Sequence, residues 1–512
     1  MSEENSNIQV AENEQSLTTQ KDTSSYRNIF KATSLFGGVQ VYQIIIGIVK
    51  NKFIALLLGP LGVGIQGLYH SALMFIENLT SMGLKQSAVR NVSEANGSKD
   101  LNRVAEVVKT LRRLVWCTGL LGLLVVVAFS PLLSKTSFGD NEHIVPFILL
   151  SVTLLLDQIS AGQKVVLQGM RRLKHLAYAS AIGSTVSLLV SLPLYYLYGV
   201  KGIVPTLILN SVTILLLTWF YARKVSLPSV DLSLKQTFTN GAGMLKMGLA
   251  MSFSSLLVTG CAYVLRWYIR AESGTEAVGL YTAGFTIIST YVGMIFTAIG
   301  TDYYPRLAGA NKDNEKSNAI INQQGEIAAL IMAPMLMVCI VFMPFVIRLL
   351  YSDQFEGAND FVIIASIGMM FKLGSWLIAI KFIAKGESKL YVINETIASA
   401  YSLVINILGY KYFGLFGLGC AFTIKYIIYF TQVYFIARKK YNYRFSIQFR
   451  RIMLIQLALL VICFISIYIP NQALAYIIGS ILIIISGMYS VVGLNKRIDF
   501  LSLLKNKKGL RK

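Results

Sequence analysis

Charged side chains lie inside long apolar segments of this chain, where they could bind an anion or an ion. Residues 35–84 read as two apolar helices joined by a Gly-Pro turn; the first carries Lys50 and Lys52, and the second carries Glu77. A lysine at the centre of a bilayer costs about 2.5–3.5 kcal/mol on insertion scales. Such residues usually face a bundle interior or a water-filled cavity, so they predict a charged internal path.

Further cations occur at membrane depth in the second half of the chain. Ammonium and guanidinium groups hold phosphate oxygens through charge-assisted hydrogen bonds, so they suit an anionic substrate. Five lipid-facing cations would together cost about 12–17 kcal/mol, comparable to the stability of a whole domain, so most must be sheltered. Lys52 and Lys381 could instead extend to the membrane surface. The candidate substrate-binding residues are Lys50, Lys52, Arg266, Lys372 and Lys425.

Three carboxylates are also predicted at membrane depth, namely Glu77, Asp157 and Glu395. They could form ion pairs with the cations, or they could couple transport to a proton or sodium ion, and the sequence leaves both readings open. The chain has no His and Cys spacing typical of a metal site, and no nucleotide-binding or hydrolase motif in a suitable context. We therefore expect no metal, no cofactor and no enzymatic activity.

The composition indicates an integral membrane protein. Of 512 residues, 54% are hydrophobic and 14% are charged, whereas soluble domains carry about 25% charged residues. Repeated apolar runs of about 20 residues favour helices over the short alternating strands of a barrel. We predict about fourteen spanning helices, near residues 34–57, 62–84, 114–133, 144–162, 176–197, 203–222, 247–269, 279–300, 327–350, 360–382, 390–410, 417–436, 453–469 and 474–494.

The distribution of basic residues predicts the orientation in the membrane. With the amino terminus inside, the inner segments hold 36 Lys and Arg residues and the outer loops hold 4. By the positive-inside rule both termini are cytoplasmic, in a bacterial inner membrane, and the net charge of +22 follows topology and membrane lipid rather than nucleic acid. The outer loops are short, which argues against a membrane glycosyltransferase or polymerase.

The chain repeats itself at a fixed interval. Gly199 and Gly414 lie in similar turns, and the distance between them along the sequence equals that between Gly64 and Gly279, which precede apolar helices. Two lysines are separated by the same number of residues. We call this number of residues the repeat interval. An even number of helices in each repeat predicts two six-helix lobes in parallel orientation, related by an axis along the membrane normal. The predicted divisions are a disordered cytoplasmic tail (1–30), an N-terminal lobe (31–224), a cytoplasmic linker (225–246), a C-terminal lobe (247–440), two additional helices (441–495) and a basic cytoplasmic tail (496–512).

Several stretches resemble Wzx-type O-antigen translocases, which are polysaccharide flippases of the MATE-like MOP superfamily. They are KNKFIALLLGPLGVGIQGLYHSALMFIENLTSMGLKQSAVR, GLYTAGFTIISTYVGMIFTAIGTDYYPRLAGANKD from Gly279, FKLGSWLIAIKFIAKGESKLYVINE from Phe371, and the turn at Gly414. Their order and spacing cover roughly residues 30–440 and are most similar to the enterobacterial-common-antigen branch. On the family pattern, Lys52 and Lys372 fill basic positions and Glu395 an acidic one, whereas Arg266 is shifted by one residue.

The resemblance implies an all-α fold with a V-shaped, cationic cavity between the lobes. It implies that undecaprenyl-pyrophosphate-linked oligosaccharide, a precursor in O-antigen and lipopolysaccharide biosynthesis, moves from the cytoplasmic to the periplasmic leaflet by alternating access. A polysaccharide polymerase and a chain-length regulator are the partners that it suggests. The alternative is a MATE-like drug/cation antiporter, for which an acid-rich cavity is expected. The fourteen helices exceed the usual twelve, but the lipid II flippase branch also has fourteen.

Overall fold

The computed structural model describes the backbone of residues 2–98 and 100–498, and the side chains of residues 38–98, 100–249, 252–300 and 302–497. This part of the chain is helical and contains no strand. The helices are α1 (Ser2–Thr80), α2 (Leu84–Gly97), α3 (Leu101–Ser137), α4 (Ile144–Gly169), α5 (Leu173–Tyr198), α6 (Ile203–Ala222), α7 (Leu234–Thr286), α8 (Met294–Gly309), α9 (Asn314–Val341), α10 (Met343–Leu350), α11 (Asn359–Ala384), α12 (Ser388–Tyr441), α13 (Ile447–Ser466) and α14 (Gln472–Ile498).

Four apolar segments are too long to cross a bilayer only once, because about 20 helical residues suffice. They are Gly38–Thr80, Leu173–Ala222, Ser252–Gly309 and Ser388–Tyr441, with 43, 50, 58 and 54 residues. Each is interrupted at a glycine with positive φ, namely Gly59, Gly199, Gly274 and Gly414. The described residues contain 10 candidate spans in all. Dividing these four at their glycines yields the predicted number of segments, although the count of crossings itself stays a prediction.

The interrupting glycines support the repeat seen in the sequence. Gly59 and Gly274 are separated by the repeat interval, as are Gly199 and Gly414. The backbone angles also match: Gly199 has φ 54° and ψ −132°, and Gly414 has φ 57° and ψ −138°. A side chain with a Cβ atom rarely adopts this region, so glycine is required at these positions. The same break therefore recurs at the same interval in both halves of the chain.

The chain divides into two compact units. The first unit comprises Met1–Lys50, Leu79–Phe129 and Val145–Ser252, and the second comprises Asn51–Asn78, Ser130–Ile144 and Phe253–Lys512. Two segments of the predicted N-terminal lobe, 51–78 and 130–144, thus pack within the second unit. The lobe boundaries themselves stay a prediction. At the amino terminus the backbone of α1 begins at Ser2, and the predicted tail over 1–30 stays a prediction.

Within the second unit, the turn near Gly59 packs tightly against the turn near Gly274. A Cβ atom on Gly64 would lie 2.0 Å from the carbonyl oxygen of Thr275, and one on Gly279 would lie 1.9 Å from that of Pro60. Pro60 and Thr275 are also separated by the repeat interval, so the contact is symmetrical under the repeat. Small residues permit helix backbones to approach this closely, as is common between membrane helices.

The two additional helices pack on α9 within the second unit. A Cβ on Gly325 of α9 would meet the ring of Phe449 on α13 at 2.7 Å. At the end of α14, Arg497 Nε donates a hydrogen bond to Glu326 of α9 at 2.6 Å. Because this pair is mostly shielded from solvent, it attaches the last helix firmly to α9. The predicted basic tail over 496–512 lies mostly outside the described residues.

Candidate functional site

A cavity of about 380 Å³ lies within the second unit, between α11 and the two halves of α12. Its wall carries Lys372, Glu395 and Lys425, all predicted from the sequence. A neighbouring cavity of about 350 Å³ shares Lys372, Lys425 and Tyr426 with the first. We call these two spaces the lysine cavity. The structure therefore brings together three of the eight predicted charged residues.

The two lysines of this cavity interact mainly with aromatic rings. Lys372 Nζ lies 5.3 Å from the ring centre of Phe296 and 5.5 Å from that of Tyr426, and Lys425 Nζ lies 5.1 Å from Tyr426. Among the described residues, neither ammonium group has a hydrogen bond or an ion pair within 4 Å. A cation–π contact contributes about 0.5–2 kcal/mol, less than a desolvated charge requires. Both ammonium groups are thus available to an anion.

Glu395 supplies one negative charge to the wall of the lysine cavity. Its Oε1 accepts a hydrogen bond from the hydroxyl of Tyr429. The carboxylate also interacts electrostatically with Lys425, but the two form no direct ion pair in the described structure. Two ammonium groups face one carboxylate, so the lining has an excess of positive charge. This excess attracts the oxygens of a phosphate or pyrophosphate.

Arg266 lies behind the aromatic wall of the smaller space. Its guanidinium carbon is 5.5 Å from the ring centre of Tyr281 and 5.9 Å from that of Phe285, and both rings line the cavity. Nη1 donates to the carbonyl of Ala262 at 3.2 Å, while Nε is buried without a hydrogen-bond partner in the described residues. Arg266 is separated by the repeat interval from Asn51 rather than from Lys52. This matches the one-residue shift of Arg266 on the family pattern.

Lys50 and Lys52 lie outside the lysine cavity. Lys50 belongs to the first unit, where its Nζ donates to Ser187 Oγ at 2.8 Å. Lys52 belongs to the second unit, where its Nζ donates to the carbonyls of Arg348 at 2.6 Å and Tyr351 at 2.5 Å. A cation at the carbonyl end of a helix satisfies free acceptors and stabilises the helix dipole. Lys52 therefore fixes the end of α10, and a substrate role for either lysine stays a prediction.

We expect Lys52→Met to destabilise the folded protein by about 1–3 kcal/mol, because two carbonyl groups lose a charged donor. The variant should unfold several degrees below the wild type in a detergent thermal scan, with unchanged affinity for the substrate. As a control, Lys411→Gln removes a lysine that is exposed on α12 and should melt like the wild type. Wild-type stability together with weakened substrate binding would instead place Lys52 in the binding site.

The other two predicted carboxylates are half-buried in different units. Glu77 lies in the second unit, where it and Arg266 are both within electrostatic range of His70. Asp157 lies on α4 in the first unit. Each interacts with its surroundings in the structure. Asp157 and Lys372 are separated by the repeat interval, so the repeat carries opposite charges at equivalent positions.

The tyrosines around Glu395 are functional candidates that sequence reasoning missed. Tyr391 precedes Glu395 by one helical turn, and Tyr426 and Tyr429 approach from the second half of α12. Their spacing places Tyr391 and Glu395 on one helix face, which was a usable signal. The chain has 27 tyrosines, however, and interfacial belts and helix packing account for most tyrosines in a membrane protein. Only the fold shows which ones surround a charge.

These features define a multi-pass helical membrane protein with the architecture of a transporter. The fold is similar to that of a multidrug resistance MATE family transporter of the MOP superfamily in an inward-facing conformation, with a TM-score of 0.66 and 15% identity over 78% of this chain and 95% of that chain. It is equally similar to lipid II flippase MurJ in an inward closed conformation, with a TM-score of 0.66 and 16% identity over 90% of this chain and 99% of that chain.

The family described as polysaccharide biosynthesis protein matches residues 53–360, which is more than half of the chain. The protein belongs to this family. The lipid II flippase MurJ family matches residues 273–487. Among curated proteins, the lipid III flippase of Escherichia coli (strain K12) is 22% identical over 397 residues, covering 75% of this chain and 92% of that protein. These matches confirm the resemblance to Wzx-type flippases and the all-α membrane fold that the sequence predicted.

Proposed function

We propose that this protein is a flippase that moves a pyrophosphate-linked oligosaccharide lipid across the bacterial inner membrane. The observation that carries the proposal is the lysine cavity, where Lys372 and Lys425 have no acidic partner within 4 Å among the described residues. Its relatives named lipid III flippase and lipid II flippase act on lipid-linked substrates. The protein is a transporter in this proposal and not an enzyme.

The chemistry of the cavity suits a pyrophosphate beside a sugar. Two ammonium groups can each hold one phosphoryl group through charge-assisted hydrogen bonds. The rings of Tyr391, Tyr426 and Tyr429 offer flat apolar faces with polar hydroxyl edges, on which a sugar ring can pack. The polyprenyl chain would remain in the lipid while the charged headgroup is sheltered. Arg266 would add positive charge from behind the wall of the smaller space.

Glu395 gives a route by which an ion could influence transport. When Glu395 is ionised, it partly neutralises Lys425, and the cavity carries less positive charge for the pyrophosphate. When it takes up a proton, the positive charge is larger. Protonation would therefore favour substrate binding and deprotonation would favour release, which is a form of linkage between two ligands at one site. We propose Glu395 as the coupling residue, ahead of Glu77 and Asp157.

The MATE-like antiporter alternative is disfavoured by the same cavity. A cationic drug requires an acidic lining, because a buried cation is stabilised by opposite charge. In the second unit the lysine cavity presents two ammonium groups and one carboxylate. The similarity to a multidrug transporter concerns fold, since the identity is 15%.

Depletion of the protein in its host tests the proposed function. We expect lipid-linked oligosaccharide to accumulate, which mass spectrometry of extracted lipids would detect, and surface polysaccharide to fall. Complementation with the wild-type gene should reverse both effects. Unchanged lipid-linked oligosaccharide in depleted cells would contradict the proposal. We further propose that a polysaccharide polymerase and a chain-length regulator act on the translocated product.

We propose that both termini face the cytoplasm, and cysteine labelling tests this topology. Asn141→Cys, in the exposed turn between α3 and α4, should react with a membrane-impermeant maleimide in intact cells. Glu94→Cys, which is exposed on α2 near Asn96, should react only after the membrane is permeabilised. The five native cysteines must first be replaced by serine or alanine. The reverse labelling pattern would invert the proposed orientation.

A further inference from the structure

A separate cavity of about 860 Å³ lies in the first unit, between α3, α4 and the end of α6 and beside the linker that follows α6. Three basic side chains line it, namely Lys109, Arg112 and Arg223. Two indole rings, of Trp116 and Trp219, also belong to its wall. We call this space the basic interfacial pocket. None of its residues belongs to the lysine cavity.

The pocket lies at the level expected for lipid headgroups. Arg112 precedes the predicted span that begins near residue 114, and Trp116 lies just inside it. Likewise Trp219 lies in the last turn of α6, and Arg223 follows its end. Tryptophan is enriched at the membrane interface, and Lys and Arg are enriched on the cytoplasmic side of it. Both helices therefore present the same combination, a tryptophan and an arginine one helical turn apart.

Two of the three cations are available to a ligand. Lys109 is engaged, because its Nζ donates to the carbonyl of Val230 and lies 3.6 Å from Asp231. By contrast, Arg112 and Arg223 are exposed and have no hydrogen bond or ion pair with any residue that the structure describes. Two guanidinium groups at one pocket without an anion define a place for phosphate oxygens, which guanidinium binds in a bidentate manner.

The apolar side chains around the pocket indicate that its anionic ligand carries a hydrocarbon chain. The guanidinium of Arg223 lies 4.8 Å from the ring of Trp219, a cation–π contact that holds it at the pocket. From Trp116, exposed apolar side chains continue along α3 at intervals of four residues, through Leu120 to Leu124. Residues four apart lie on one helix face. An acyl chain can lie along this face while its headgroup occupies the pocket.

Part of the basic lining is particular to the first half of the chain. At the repeat interval, Lys109 and Arg112 correspond to Gln324 and Ile327, which are uncharged. Arg223 corresponds to Arg438, so a cation recurs at that position, whereas Lys109 and Arg112 have no basic counterpart. Two of the three lining cations are therefore particular to the first half of the chain.

We propose that the basic interfacial pocket binds the phosphodiester headgroup of an anionic membrane lipid. Basic pockets between helices on the cytoplasmic side bind lipid headgroups of this kind, and the volume lies within the range of ligand sites. The site is distinct from the transport cavity, so the inference does not depend on the proposed function. The bound lipid would link α3 to α6 and to the adjacent linker.

Native mass spectrometry of the full-length protein in detergent tests the proposal. We expect one phosphatidylglycerol to bind with an affinity at least about tenfold above that for phosphatidylethanolamine, since each cation near the membrane surface contributes on the order of a fivefold change. In the variant Arg112→Gln/Arg223→Gln this preference should fall by about 10- to 30-fold. The matched control is Lys224→Gln/Lys235→Gln, which removes two exposed cations outside the pocket and should keep the preference.

Two outcomes would overturn the lipid site. One is an equal loss of preference in both double variants, which would indicate a diffuse effect of net charge. The other is an unchanged preference in Arg112→Gln/Arg223→Gln.

A third arm uses soluble glycerol 3-phosphate as competitor. Failure to displace phosphatidylglycerol supports a lipid ligand, whereas displacement at equal concentration would assign the site to a free phosphate instead. Thermal scans of all variants confirm that they are folded.

Discussion

Replacing Lys372 with glutamine should lower translocation of the lipid-linked oligosaccharide by about 10- to 100-fold. One charge-assisted hydrogen bond to a phosphoryl oxygen contributes about 1.5–3 kcal/mol, and each 1.4 kcal/mol corresponds to a factor of ten. Lys425→Gln should have a similar effect, and the double variant should abolish transport. Lys372→Ala should likewise abolish surface polysaccharide in cells while the protein remains inserted. Initial rates in reconstituted vesicles provide the measurement.

The control for this prediction is Lys411→Gln, which removes one positive charge from an exposed position on α12 in the same unit and should transport normally. Because Lys372 and Lys425 have no hydrogen bond or ion pair within the described structure, their loss should not lower thermal stability. A stable Lys372→Gln protein with the wild-type rate would remove this residue from the substrate site. If transport is lost only because the variant no longer folds, Lys372 has a structural role instead.

The second large effect is expected where the turn near Gly59 packs against the turn near Gly274. Gly64→Ala should reduce transport at least tenfold, because its Cβ would lie 2.0 Å from a backbone carbonyl oxygen that cannot move independently. Overpacking of this kind typically costs about 1–3 kcal/mol. Gly279→Ala should behave in the same way, because a Cβ there would lie 1.9 Å from the carbonyl oxygen of Pro60. In an alternating-access cycle, the state with the turns in contact would be disfavoured.

Gly47→Ala is the matched control for Gly64→Ala. Gly47 also lies on α1, but a Cβ there would meet nothing within 4 Å. It should transport at the wild-type rate, since alanine is also the better helix former. Equal activity of Gly64→Ala and Gly47→Ala would show that transport does not require this close approach. Equal loss in both would point to a general intolerance of substitution in α1.

The sequence was a good guide to architecture because its signals are local and strong. Apolar runs of about 20 residues reveal membrane helices without knowledge of packing. The repeat interval came from glycine turns, and the structure shows why it was informative. Only glycine adopts the positive φ found at Gly199 and Gly414 without strain, so these residues mark equivalent backbone positions.

The sequence was a poorer guide to the site, because a cation's role depends on what packs against it. Lys50 and Lys52 are two residues apart, so their side chains point about 200° apart around the helix. Nothing in the sequence shows that Lys52 meets the carbonyls of Arg348 and Tyr351, which are distant along the chain. Similarly, Lys372 and Lys425 lie on different helices, and only packing brings them to one cavity.

The division into units was also beyond sequence reasoning. Residues 51–78, which the repeat assigns to the predicted N-terminal lobe, pack within the second unit, and the lobe boundaries stay a prediction. One contact within that unit is the close approach at Gly64 and Gly279, which belong to equivalent turns of the two repeats. A repeat identifies equivalent segments, whereas contacts between equivalent segments depend on the conformation that the protein adopts.

Translocation in proteoliposomes tests the central claim most directly. The purified protein would be reconstituted with a fluorescent undecaprenyl-pyrophosphate oligosaccharide, and the fraction exposed outside would be measured by a membrane-impermeant quencher. We predict transfer between leaflets that is fast with the wild type, absent with Lys372→Gln/Lys425→Gln, and normal with Lys411→Gln. A wild-type rate in the double variant, or no transfer above protein-free vesicles with the wild type, would contradict the claim that the lysine cavity carries a pyrophosphate-linked lipid.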